Sequence, residues 1–492
     1  MGHFLNIGKI LTAAFFVVIA LAASAGQAQA AAYYFSPSGN DTTGNGSAAN
    51  PWKTVAKANS LNLSPGDKIL FRCGDVWNLN QEKTTLRIMA SGSSGNPITV
   101  GAYYMNSGSP AQGISGTRPI FRSNLVFNPT KDPNIGYCGA GVACYPAITA
   151  YRGLVEVPNG ADWVVFENLR IENAPDKGIY VHQEANNVLV RNCQVDFSGN
   201  EGIAYNGGSN WSGGGTTGAL IEGNSVTRAV YNVWYDGNNI GPAQLTIANR
   251  VNNAVIRKNN VSQGFAGENI GVYFNVENLV IEDNVMYGVP RIGIYISGHI
   301  TDAIVRRNLI VGSMDNIPGT NVKSQFWYNE GAGWFQWPGY GLAIDDEYQY
   351  MHGYSCGVAP WSSTRGDVRC HTKRIDFHNN IVVNMYYGAW IYIADEWTDY
   401  WNGSQWTNSG DSILTDIHFL NNTFIASRKG AFANNNGAND CVSCEFKNNL
   451  STCGDALTCS PLASLTPSQG FAYSQNLWPS NPGVSAAGVG DV

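Results

Sequence analysis

The 492-residue sequence predicts an all-β protein, a right-handed parallel β-helix with a short N-terminal capping helix. Three observations carry the prediction. One phrase recurs from about Leu154 onward: an alternating apolar strand, a polar bend and a second short apolar strand, as in VVFENLRIEN, VLVRNCQVDF, AVIRKNNVSQ, LVIEDNVMYG and IDFHNNIVVN. Its bends carry Asn markers at Asn168, Asn192, Asn224, Asn260, Asn284, Asn308, Asn380, Asn422 and Asn449, with the 168–192, 260–284 and 284–308 intervals all 24 residues. A further strand in each turn opens near a glycine, as in GIYVHQE, GVYFNVE, GIYISGH and GLAIDDE. A unit that short cannot bury its apolar face alone, so successive units stack at about 4.8 Å and share one core. An inward Asn at each bend then satisfies backbone groups that would otherwise be buried unpaired.

In chain order, residues 1–30 read as an export signal. His3 and Lys9 precede an apolar run from Ile10 to Ala23, and Ala28-Gln29-Ala30 fits a small-x-small cleavage site. No later segment is long and apolar enough to span a bilayer, so the expectation is a secreted chain, extracellular or periplasmic, with no stable membrane insertion. Net charge is −7 with 13% charged residues and no Lys-rich or Arg-rich run, which argues against nucleic acid as a partner. A monomer is expected.

Residues 31–150 lack the repeated phrase. AYYFSPSGND, NPWKTVAKANSL, PGDKILFRCGDVW and GNPITVGAYY give a strand, a short helix and more strands. This order resembles the N-terminal portion of secreted pectate-lyase-like β-helix proteins, in which a helix caps the open end of the coil. The resemblance implies the superfamily's fold and a polysaccharide-directed role, for the superfamily holds lyases, hydrolases and epimerases alike. Pectate lyases spread several Asp around Ca²⁺ beside a Lys or Arg, and that set does not map onto this chain residue by residue. The coil itself is expected over 151–450, with inserted loops at about 313–338 and 348–373, and an irregular cap or tail over 451–492.

Eight of ten cysteines fall in close pairs, Cys138/Cys144, Cys356/Cys370, Cys441/Cys444 and Cys453/Cys459. In an exported chain these read as loop-stapling disulfides ahead of a zinc site, while Cys73 and Cys193 read as buried and inert.

Aligning the glycine-led strands places Val181, Tyr205, Tyr235, Phe274, Ile296 and Ile344 in one inward column. One outward column then holds Tyr180, Ala204, Trp234, Tyr273, Tyr295 and Ala343, with Trp390 next; the other holds His182, Asn206, Asp236, Asn275, Ser297 and Asp345. A stripe of aromatics beside a stripe of polar groups suits a polysaccharide, whose C–H faces stack on rings while its hydroxyls bond amides and carboxylates. The alternatives are packing beneath inserted loops and a protein interface.

Candidate catalytic groups are Asp345, Asp346 and Glu347 at the most acidic strand end, with Glu396, Asp236 and His182. If Ile393 takes the register of Ile344, Glu347 and Glu396 become neighbours about 5 Å apart, as in a retaining glycosidase. If Gly388 aligns with Gly341, Tyr392 lies beside Asp345 and the pair does not form. Asp236 and Asp345, about 14 Å apart by strand spacing, are too distant to act together. Elimination would instead need a base and a cation, for which Lys177, Arg228, Arg291, Lys323 and His182 are the candidates. Substrate binding is expected from Tyr180, Trp234, Tyr273, Tyr295, Trp390, Asn206, Asn275 and Arg291, with Trp334, Trp337 and Trp361 in the inserted loops. No cofactor is required by the sequence; the carboxylates can also take Ca²⁺. The expectation is a polysaccharide-cleaving enzyme, with hydrolysis ahead of elimination. A glycan-binding adhesin or a structural coil is the alternative.

Overall fold

A computed structural model describes residues 30–79, 84–123, 153–208, 215–230, 243–264, 267–289, 291–312, 339–345, 372–392, 399–401, 406–408, 414–427, 430–434, 441–453, 462–463 and 471–478. The chain divides into units 1–31 and 32–492; the export segment lies outside the described residues. Among the described residues no helix is long and apolar enough to cross a membrane.

The second unit is a right-handed parallel β-helix. Each turn gives one strand to each of three parallel sheets, in the order A, B, C. Sheet A runs from Ala32–Phe35 to Phe471–Ser474, sheet B from Val76–Leu79 to Leu450–Cys453, and sheet C from Leu86–Arg87 to Leu462–Ala463. The first turn differs because the helix Val55–Asn59 closes the open end. Thr54 caps it by accepting the Lys57 N–H at 3.1 Å, and Val55 and Ala58 enter the core. Asn59 seals the first strand of sheet C, donating to Thr85 O at 2.7 Å and accepting from Arg87 N at 2.9 Å. An edge that would otherwise recruit other chains is thus covered.

From Glu167 onward the corner between sheets A and B is two residues long in every turn. The first adopts a left-handed backbone, at Asn168, Asn192, Asp283, Arg307, Asn379, Asn421 and Asn448 among others, a conformation Asn and Asp tolerate better than most. The second points inward and from Asn224 onward is Asn. The ladder so formed contains Asn224, Asn259, Asn284, Asn308, Asn380, Asn422, Asn449 and Asn476, all at most 3% exposed. Asn284 shows the pattern: its N–H and Nδ2 both donate to Asn308 Oδ1, at 3.1 and 2.9 Å, and Nδ2 also donates to Ile256 O at 3.0 Å.

This corrects the marker set read from the sequence. Asn260 lies one residue past the ladder, whose member is Asn259, and Asn168 and Asn192 occupy the left-handed position one residue before it. Two adjacent corner positions both favour Asn, so the Asn-Asn dipeptides blurred one column into the other. Before Asn224 the ladder position passes to Cys193, whose N–H donates to Asn224 Oδ1 at 2.9 Å.

Sheet A carries an outer column of alternating sign: Glu167, Arg191, Glu222, Arg257, Glu282 and Arg306 stand opposite one another in successive strands. Arg191 meets Glu167 at 2.7 Å, Arg257 meets Glu222 at 2.8 Å, and Arg306 meets Glu282 at 2.8 Å.

The coil continues beyond residue 450. Leu450–Cys453, Leu462–Ala463 and Phe471–Ser474 each join a sheet, and Asn476 extends the ladder, so the segment expected to be an irregular cap supplies further strands. Cys441 and Cys444 form a disulfide rather than a zinc site, and Cys453 is also disulfide-bonded. The pairs Cys138/Cys144 and Cys356/Cys370, and Cys459, lie outside the described residues. Cys73 and Cys193 are free thiols. Cys193 is buried, which pushes its thiol up to about 12, whereas Cys73 is only partly buried.

Long connections flank sheet C alone over this part of the coil. Between sheets B and C they run from Thr227 to Leu245 and from Val311 to Tyr340; between C and A, from Asn206 to Thr216, Asp345 to Lys373 and Tyr392 to Leu414. The inserted loops read from the sequence fall within these connections.

Candidate functional site on the outer face of sheet C

The bend entering sheet C turns on Gly178, Gly202, Gly293, Gly341 and Gly388. A Cβ at Gly178, Gly293 or Gly341 would strike the carbonyl of the next turn's glycine, so side chains are excluded where the turns lie closest. In one intervening turn Asn269 takes this position, fully buried and donating to Val261 O at 3.0 Å.

Three outward columns emerge from the register. The first holds Lys177, Glu268, Ile292, Tyr340 and Tyr387; the second Glu156, Tyr180, Ala204, Thr246, Gly271, Tyr295, Ala343 and Trp390; the third Asn206, Ala248, Tyr273, Ser297, Asp345 and Tyr392. The expected columns therefore hold for Tyr180, Ala204, Tyr295, Ala343 and Trp390, and for Asn206, Ser297 and Asp345, but shift in the turn of Gly271. Gly271 was matched to the bend glycines, yet the bend residue of its turn is Asn269. Tyr273 consequently lies opposite Ser297, not Tyr295, and Val272 takes the inward place expected of Phe274, which lies past the strand in a left-handed conformation with Asn275. Asn275 Oδ1 meets His299 Nδ1 at 3.1 Å. One rung is filled by Leu245–Ala248, so the stretch with Trp234, Tyr235 and Asp236 is not that strand; those three residues lie outside the described ones.

The register also decides between the two alignments around Asp345. Ile344 pairs with Ile391 and Asp345 with Tyr392, the alignment in which Glu347 and Glu396 do not become neighbours. Asp346, Glu347 and Glu396, and the loop residues Lys323, Trp334, Trp337 and Trp361, lie outside the described residues.

Several ionisable groups on this face are sunk: Asp345 is 0% exposed, Glu156 and Glu268 1%, Lys177 7% and Glu201 9%. Burying charge costs several kcal/mol unless it is paired, and each has a partner. Lys177 Nζ meets Glu201 at 2.7 Å and Asp176 at 3.1 Å, and lies 5.5 Å from the Tyr180 ring centroid. Arg291 meets Glu268 at 2.9 Å, and Tyr273 donates its hydroxyl to the other Glu268 oxygen at 2.9 Å. Tyr273 reaches back along its own strand because Gly271 leaves the space its ring fills. One turn on, Tyr295 donates to Asp345, and the Tyr273 and Tyr295 rings meet edge to face at 5.9 Å. Two Tyr-carboxylate pairs thus stand on consecutive turns.

Farther along, Tyr340 stacks on Trp390 at 4.4 Å and on Tyr387 at 5.7 Å, each with planes 8° apart. Burial, with Tyr386 beside it, raises the Tyr387 hydroxyl above the ordinary phenol range. Tyr180 and Tyr295 are 9% and 1% exposed, so they do not form an open aromatic stripe. At the other end, His182 Nε2 lies 2.9 Å from Glu156, whose second oxygen faces Arg87 at 3.3 Å, and Asn206 donates to the Tyr180 hydroxyl at 3.3 Å. Of the basic candidates, Arg228 instead pairs with Asp196 beside sheet B. Among the described residues no three His, Cys, Asp or Glu side chains gather closely enough to hold a metal ion.

Glu156, Glu201, Glu268, Arg87, Tyr340 and Tyr387 were not singled out from the sequence. Glu156 did leave a signal, a lone acid within the otherwise apolar strand GLVEV.

The fold and this face define a parallel β-helix with a polar, aromatic-bearing sheet. No family model matches the sequence, and no curated protein matches it. Solved structures similar to the chain include a GH136 lacto-N-biosidase from Eubacterium ramulus, at 13% identity and a TM-score of 0.48, covering 91% of this chain and 68% of that one. The pectate lyase Pel9A is 17% identical at a TM-score of 0.44, covering 94% and 83%. The Dettilon tailspike protein is 13% identical at 0.48, covering 93% and 68%. The likeness is one of fold.

Proposed function

We propose that the protein is a carbohydrate-active enzyme that cleaves a polysaccharide lying along the outer face of sheet C, by hydrolysis rather than elimination. One observation carries the reading: the buried carboxylates, the stacked aromatics and the long connections all converge on this one sheet, while the A–B corner is held to two residues. Loops that accumulate on one face of a rigid scaffold are where binding and chemistry concentrate.

Charge favours hydrolysis. The described cations here, Arg87, Lys177 and Arg291, each already face a carboxylate, and Glu156, Asp176, Glu201, Glu268 and Asp345 outnumber them. A uronate polymer would meet excess negative charge, whereas a neutral one would find acids suited to protonating a glycosidic oxygen. Asp345, bonded to Tyr295 and succeeded in sequence by Asp346 and Glu347, is the acid on which we centre the reaction.

Incubating the mature chain with neutral and uronate polysaccharides, with and without Ca²⁺, tests this reading by tracking reducing ends and unsaturated products together. Reducing ends alone are expected, falling about 100-fold or more in Asp345→Asn at unchanged melting temperature. Unsaturated products would replace hydrolysis with elimination. Binding without any cleavage, unaffected by Asp345→Asn, would make the protein an adhesin.

A further inference from the structure

Glu156 and His182 make no use of the Asp345 region and stand at the N-terminal end of the same face. Glu156 is the fourth residue of the strand Gly153–Val157 and stands opposite Tyr180 in the register. The His182 N–H donates to Val157 O at 2.9 Å, so the strand that carries the carboxylate also fixes the backbone of the imidazole. The two side chains meet at 2.9 Å, with the carboxylate 1% and the imidazole 21% exposed. A carboxylate only accepts, so Nε2 carries a hydrogen, and in the neutral imidazole Nδ1 then bears the lone pair. Among the described residues Nδ1 has no hydrogen-bond partner. The ring packs against Tyr180, centroids 4.2 Å apart, and the Tyr180 hydroxyl accepts from Asn206, which accepts in turn from Asn249 at 3.0 Å.

Here one nitrogen is fixed by a buried acid and the other left open, the arrangement of an oriented general base. We infer that Glu156 and His182 form a hydrolytic dyad acting on ester substituents, such as O-acetyl groups, of the polysaccharide.

The choice of an ester rests on proton economy. Glycosidic cleavage needs a second group to protonate the leaving oxygen, and the buried acids Asp176 and Glu201 on this face are tied to Lys177. Ester hydrolysis needs one base that returns what it takes. His182 Nδ1 removes a proton from water as the water oxygen bonds to the carbonyl carbon, whose π pair moves onto oxygen. When that pair returns, the bond to the sugar oxygen breaks and the departing alkoxide takes the proton from Nδ1. The acid product then ionises into solvent. Glu156 remains a carboxylate throughout and acts as a positioning residue.

The substrate class rests on the polysaccharide reading; the dyad does not. Acetate release from acetylated xylan and acetylated pectin, measured by proton NMR, tests it alongside reducing ends, with p-nitrophenyl acetate as a small probe. Release by the wild type is expected, falling at least 100-fold in His182→Ala and recovering in part with added imidazole. Glu156→Gln should lower kcat about 10- to 100-fold with little change in KM, and Glu156→Asp should regain part of it. Acetate release without chain cleavage would keep the dyad and sink the cleavage reading. Chain cleavage without acetate release, or a His182→Ala variant releasing acetate at the wild-type rate, would overturn the dyad.

Discussion

Two glycines on sheet C separate what a side chain can yield from what a backbone cannot. A Cβ at Gly271 would meet the Tyr273 hydroxyl, the far end of a side chain that can swing away; one at Gly341 would meet the Gly388 carbonyl and the Val382 side chain inside the coil. Gly271→Ala should therefore cost about 1 kcal/mol while breaking the Tyr273–Glu268 bond, so its activity should match that of Tyr273→Phe. Gly341→Ala should cost about 3 kcal/mol or prevent folding. Urea midpoints of the two variants check the order, and an equal loss in both would show that the bend glycines are not required for close stacking. These glycines also mark the limit of legibility at this scale. Gly178, Gly202, Gly293, Gly341 and Gly388 were readable as a column because they share one cause. Gly271 was misassigned because it is small for another reason, the space needed by the Tyr273 ring, and sequence spacing does not distinguish the two. Contacts between distant segments, such as Lys177 with Glu201 and Tyr295 with Asp345, depend on which strands are neighbours, so they emerged only with the fold.

Among the elements, the Asn ladder was the most visible in sequence and the easiest to place one residue off. Its visibility has a physical basis: only a side chain carrying both an amide donor and an acceptor can serve the turn before and the turn after. Asn308 accepts from Asn284 N and Nδ2 and donates to Ile281 O and Asn380 Oδ1, so Asn308→Ala would leave buried groups unpaired on both neighbouring turns. The expected loss is about 2–4 kcal/mol, read as a lower urea midpoint. Asn260→Ala, one residue past the ladder and exposed, should change the midpoint little. Equal effects at Asn308 and Asn260 would contradict the register. The C-terminal strands were missed because the Ser, Pro and Gly between them masked three short apolar runs, whereas the capping helix was legible as the segment NPWKTVAKANSL between two strands.

At the scale of the whole molecule, carboxylates on the coil surface link stability to pH. Hydrogen bonds from Arg306, Arg307 and Arg374 hold Glu282, Asp283 and Asp302 below the usual carboxylate range. Their stabilisation is present above the unfolded-state value of about 4 and is lost as pH falls through the lower folded-state values. Arg374 and Asp302 are nearly half exposed, so Arg374→Ala should cost only about 0.5 kcal/mol at pH 7. That difference from the wild type should vanish near pH 2 and shrink in high salt. Urea midpoints at both pH values check it, and a difference that persists at low pH would assign the loss to packing.

The alternating column on sheet A has a further consequence, for assembly. Turns that resemble one another invite a mistake in which one is looped out and its neighbours stack directly. The Asn ladder cannot detect this error, since any Asn will bond any other. The charged column can. Were the turn bearing Arg257 skipped, Glu222 would stand opposite Glu282, and loss of the Glu222 turn would set Arg191 against Arg257. Alternation of sign thus works as a parity check on the count of turns, rejecting the single omission that a uniform ladder would let pass.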